Sequence, residues 1–98
     1  MERAVVELAS RLKDSHEEIV RVIWFGSRVR GEARAGSDVD LCLVLRHAGG
    51  RWFDRIPRYL PSHFPTDIDL FPYTEQELEL LASNRPEFYA EIISGREL

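Results

Sequence analysis

Two apolar runs, residues 19–25 and 41–45, are joined by a segment that opens with Gly26-Ser27 and closes with Asp38-Val39-Asp40. The first run, Ile-Val-Arg-Val-Ile-Trp-Phe, is dense in β-branched and aromatic residues and stops at a glycine. That is the pattern of a strand near the centre of its sheet. The second run alternates with polar residues only at its start and is apolar throughout after Asp40. A strand ending in a Gly-Ser turn and a second strand opening on two carboxylates constrain this chain more than any other feature.

Residues two apart in a strand point to the same side, with their Cα atoms roughly 6.5–7 Å apart. Asp38 and Asp40 are therefore expected to project together from the start of the second strand. Neighbouring aspartates repel, and a cation between them relieves the repulsion. Magnesium suits such a site, because it takes oxygen ligands and keeps waters or substrate phosphates as the remainder. A third carboxylate comes from Asp67-Ile68-Asp69-Leu70, within a third predicted strand over residues 66–73. Asp67 and Asp69 share a face of that strand. Asp69 is favoured, because Ile68 and Leu70 anchor it inside the strand. Together they would complete a platform for two divalent ions.

Gly26 permits positive φ and lets a ligand approach the backbone closely. The turn or short helix expected over residues 27–33 would offer free N–H groups at its start, with Ser27 as its cap. Ser27 could donate its hydroxyl to a phosphate oxygen, and Arg28, directly after it, is placed to contact a triphosphate. A Gly-Ser turn alone is weak evidence. Joined to the aspartates at the same end of the sheet, it reads as a site for a nucleoside triphosphate with magnesium.

Elsewhere, Val5, Leu8, Ala9 and Leu12 recur at helical spacing over residues 2–16. Trp52, Phe53, Ile56, Tyr59 and Leu60 suggest a helix with a core-facing stripe, interrupted by Pro57. Thr74-Glu75-Gln76-Glu77 fits a capping box ahead of Leu78, Leu80 and Leu81. A last helix follows Pro86, with Phe88, Tyr89, Ile92 and Ile93 on its apolar side and Gly95 at its end. Phe88 and Tyr89 are placed as a candidate partner surface. This order predicts a single α+β (α/β) domain over residues 1–98, a small mixed sheet with helices packed mainly on one face.

With 98 residues the chain has room for one core and none for a separate acceptor-binding domain. The net charge of -4, from 13 basic and 17 acidic side chains, argues against long nucleic acid as substrate. Cys42, the only cysteine, lies in an apolar run and reads as a buried thiol. No apolar stretch approaches the ~18 residues of a membrane span. The expected setting is therefore the cytoplasm, with no membrane contact.

Gly26-Ser27, Gly31, Ser37-Asp38-Val39-Asp40-Leu41 and the run from Asp69 to Thr74 resemble the signature of the polymerase-beta-type nucleotidyltransferase superfamily. More closely, the chain resembles the minimal nucleotidyltransferases of the MntA-like antitoxin group. The resemblance implies a nucleotidyltransferase-like fold and magnesium dependence. It implies transfer of a nucleoside monophosphate, AMP from ATP, with release of pyrophosphate. Asp38, Asp40 and Asp69 would be the catalytic metal ligands, and Gly26 and Ser27 the phosphate contacts. It also implies a partner, a HEPN-domain toxin whose tyrosine hydroxyl accepts AMP in the manner of a protein adenylyltransferase. The alternative is a non-catalytic antitoxin-like module that sequesters a partner protein by contact alone.

Overall fold

The computed structural model describes residues 1–26 and 39–98. Their elements run α1 (Glu2–Ser15), β1 (Ile19–Phe25), β2 (Val39–Leu45), a 3-10 turn (Trp52–Arg55), α2 (Ile56–Tyr59), β3 (Ile68–Thr74), α3 (Glu75–Asn84), α4 (Pro86–Ile93) and β4 (Arg96–Glu97). The expected helix or turn after Ser27 lies outside the described residues.

The strands form one mixed sheet in the order β3-β2-β1-β4. β1 runs antiparallel to both β2 and β4, and β2 runs parallel to β3. A parallel pair needs a long crossover, and residues 46–67, with the 3-10 turn and α2, provide it. β1 and β2 lie inside the sheet, which explains why they read as near-continuous apolar runs.

Alternation along these two strands sends apolar side chains to both faces, so both faces need cover. Val22, Trp24, Leu41 and Leu43 pack with Val5, Leu8, Ala9 and Leu12 of α1 and with Tyr59. Ile23, Phe25, Cys42 and Val44 pack with Leu78 of α3 and Ile92 of α4 on the opposite side. The mixed α+β sheet is as expected, but its helices are shared between the two faces instead of crowding one.

The stretch 52–60 also differs from its expected single helix. The 3-10 turn gives way to one turn of α2, with Pro57 in its first turn where a missing N–H costs nothing. The stripe therefore splits. Trp52 packs on the α3–α4 side, Tyr59 on the α1 side, and Phe53 is exposed.

The capping box forms: Glu77 N donates to Thr74 Oγ1 at 3.2 Å and Thr74 N to Glu77 Oε1 at 2.8 Å. α4 buries Ile92 completely and leaves Ile93 exposed. Beyond it β4, unforeseen in the sequence, pairs Arg96 with Trp24 and Glu97 with Ile23. Lys13 Nζ donates to Leu98 O at 2.8 Å, which ties the segment after β4 to α1. Among the described residues no helix is long and apolar enough to cross a membrane.

Candidate active site

β1 ends, and β2 and β3 begin, at one end of the sheet. The register there pairs Phe25 with Asp40 on one side and Asp40 with Asp69 on the other. Register partners point to the same face, so both carboxylates stand on the α3–α4 side, about 4.8 Å apart from strand to strand. Asp40 is half-buried and Asp69 exposed. Gly26 closes the site with φ +90, and a Cβ built there would lie 2.4 Å from Asp40 Oδ2. The carboxylate thus rests against backbone that only glycine leaves open.

The structure brings together three of the residues singled out in the sequence: Gly26, Asp40 and Asp69. Ser27, Arg28 and Asp38 lie outside the described residues. Asp67 precedes β3, and its carbonyl accepts the N–H of Val39 at 3.0 Å. Its backbone thereby helps fix the register that sets Asp69 beside Asp40. Among the described residues no three His, Cys, Asp or Glu side chains form a metal cluster.

Below the carboxylates the same face is aromatic. Phe25, Phe71 and Phe88 form a triangle with ring centroids 5.4, 5.6 and 5.9 Å apart, and Trp52 stacks on Phe71 at 5.8 Å. Phe88 therefore belongs to the packing beneath the site, not to a detached partner surface. Each ring pair adds about 0.5–1.5 kcal/mol beyond its area burial, which stiffens the ends of β1 and β3. No local pattern announced this triangle, because its members come from β1, β3 and α4. Cys42, two residues beyond Asp40 on this face, is fully buried, and burial pushes its thiol up to about 12. It stays protonated at neutral pH and is a packing group.

A second contact missed in the sequence anchors the crossover to the strand that carries Asp69. The guanidinium of buried Arg55 holds Glu77 through two hydrogen bonds of 2.6 and 3.1 Å and donates to Pro72 O of β3 at 2.9 Å. Glu77 is held below its ordinary value first by this bond, against the effect of burial.

The profile of the family described as "Nucleotidyltransferase domain" matches residues 5–97. The chain belongs to that family. The nucleotidyltransferase domain also resembles in fold the 1.40 Å crystal structure of a candidate nucleotidyltransferase from Sulfolobus solfataricus. The TM-score is 0.60 and the identity 24%, over 80% of this chain and 70% of that one. No curated protein matches the chain. Membership of the family supports nucleotidyl transfer as the general activity.

Proposed function

We propose that this nucleotidyltransferase domain moves AMP from ATP onto a tyrosine hydroxyl of a HEPN-domain partner, with magnesium as its cofactor. The observation that carries the reading is the register of Asp40 with Asp69 on one face, beside the positive-φ Gly26. Two oxygen-bearing side chains so placed fit the hard-cation preference of magnesium, and Asp38 is the third candidate ligand. Magnesium held by these aspartates would neutralise charge on the triphosphate as pyrophosphate departs.

The chain's own residues have three tasks. Gly26 leaves room for the Asp40 carboxylate, and Ser27 and Arg28, which follow it in the sequence, would contact the phosphates. Asp40 and Asp69 would hold the ion, which would supply positive charge beside the triphosphate. The acceptor oxygen bonds to that phosphorus, the bond from phosphorus to the bridging oxygen breaks, and pyrophosphate leaves. Asp69, or the ion it would hold, would help remove the hydroxyl proton. Catalysis of this kind is mostly positioning and charge neutralisation.

A protein acceptor is supported by the resemblance of the motif and by the net charge of -4. The test is to incubate the protein with ATP, magnesium and a HEPN-domain protein encoded beside it. Mass spectrometry should find one AMP on a partner tyrosine. A partner of unchanged mass under all ribonucleoside triphosphates would refute the reading. Full neutralisation of the partner by Asp40→Asn would favour sequestration by contact.

A further inference from the structure

A cavity of about 290 Å³ opens on the α1 side of the sheet, away from Asp40 and Asp69. Buried Leu8, Leu12 and Tyr59 form its apolar floor, and Arg11, His16, Arg58 and His63 stand around it. In a chain with 17 acidic and 13 basic side chains, this cavity is lined by four groups able to carry positive charge and, among the described residues, by no carboxylate.

The cations are differently engaged. The side chains of Arg11 and His63 are exposed and make no hydrogen bond or ion pair with any described residue. Arg58 gives its Nε–H to Glu18 at 3.2 Å and sets its guanidinium 5.8 Å from the centre of the Tyr59 ring, at the edge of the cavity. Glu18 lies behind Tyr59, whose hydroxyl donates to it at 2.7 Å. His16 packs its ring edge-on to Tyr59, with Nδ1 buried, 3.7 Å from Glu18 and without a hydrogen bond. The last residues of α1 and α2 also border the cavity. Their carbonyls carry partial negative charge, which the Arg11 guanidinium offsets, the charge of Arg58 being paired with Glu18.

We infer that this cavity is a second ligand site, for a small phosphomonoester, separate from the Asp40–Asp69 site. Arginine forks suit phosphate oxygens. The floor of Leu8, Leu12 and Tyr59 suits an apolar or aromatic body on the ester oxygen. The volume is near the low end for small-molecule pockets, which favours a compact ester over a nucleic-acid strand.

The test is a titration of the full chain with phenyl phosphate, without magnesium, followed by amide NMR shifts. Inorganic phosphate and phenol serve as separate arms. Saturable shifts confined to residues 8–16 and 58–63 are expected, with phenyl phosphate tightest, inorganic phosphate weaker and phenol inert. Arg11→Gln combined with His63→Gln should weaken binding at least ~10-fold while the spectrum stays folded, since neither side chain supports another. Equal binding of inorganic phosphate and phenyl phosphate would overturn the ester assignment. Shifts that never saturate, or that potassium chloride reproduces, would overturn the site. Binding of a short RNA where phenyl phosphate fails would overturn it in favour of nucleic acid.

Discussion

Asp40 Oδ2 occupies the space in which a side chain at Gly26 would begin. The distance to a Cβ built at position 26 is 2.4 Å, closer than any real contact, and the backbone there has φ +90. A side chain at position 26 must therefore push the Asp40 carboxylate aside and also take a strained backbone. Gly50 separates them, because its φ is +66 but a Cβ there meets nothing within 4 Å. Gly50→Ala should cost about 1 kcal/mol through left-handed backbone alone and leave nucleotidyl transfer intact. Gly26→Ala should cost more and displace the Asp40 carboxylate, with activity falling at least tenfold. Urea unfolding beside a transfer assay reads both; equal losses in the two variants would refute the role of the Gly26–Asp40 contact.

Asp40→Asn and Asp69→Asn should each abolish most transfer while sparing the fold, Asp69 above all because it is exposed. Loss of a partner one step removed from a metal costs about 10–100-fold, so loss of a direct ligand should exceed on the order of 100-fold. Asp67→Asn, which keeps the backbone bond to Val39, should change the rate by less than about threefold if the metal ligand is Asp69 and not Asp67. The measurement is initial rate against magnesium concentration. A collapse in Asp67→Asn with normal rates in Asp69→Asn would exchange their roles.

Local chemistry in the sequence marked much of this fold. The bounds of β1, the four buried positions of α1 and the Thr74 cap follow from patterns a few residues long. The pairing of Asp40 with Asp69 was legible only as a possibility, because one face per strand can be read locally but the register between strands cannot. β4 gave no signal, since its two residues, Arg96 and Glu97, are charged and exposed and are held by pairing to β1. The Arg55–Glu77 contact spans 22 residues. A buried arginine looks like any surface arginine until its acceptors are folded around it.

Glu18 sets an acid limit on stability. Burial alone would raise its carboxyl, yet the Tyr59 hydroxyl, its own backbone N–H and the Arg58 guanidinium bring it down from 4.5 to about 2. The folded value is the lower one, so the contribution is fully present above about pH 4.5 and is lost as pH falls through about 2. A shift of that size corresponds to on the order of 3 kcal/mol. Glu18→Gln should be less stable at pH 7 but lose less on acidification. Denaturant unfolding at steps between pH 5 and about 2 compares the slopes; parallel curves for the two proteins would rule Glu18 out as the source.

Arg55 spends all of its hydrogen-bonding capacity inside the protein. Its guanidinium has five N–H donors. They meet Gly49 O, Gly50 O, Pro72 O and both oxygens of Glu77 at 2.6–3.1 Å. One side chain thereby joins the crossover, β3 and the first turn of α3. Arg55→Met removes the donors and leaves a carboxylate and three carbonyls short of partners, a loss of about 3–5 kcal/mol. Arg55→Lys should recover little of it, because an ammonium has three donors and no planar fork. Glu77→Gln keeps an oxygen for the Thr74 cap and should cost about 1–2 kcal/mol. The Arg55→Met and Glu77→Gln double-mutant cycle should then show a coupling of at least about 1 kcal/mol. Additive losses would mean that the carbonyls, not Glu77, hold the arginine, and that the crossover is fixed to β3 without α3.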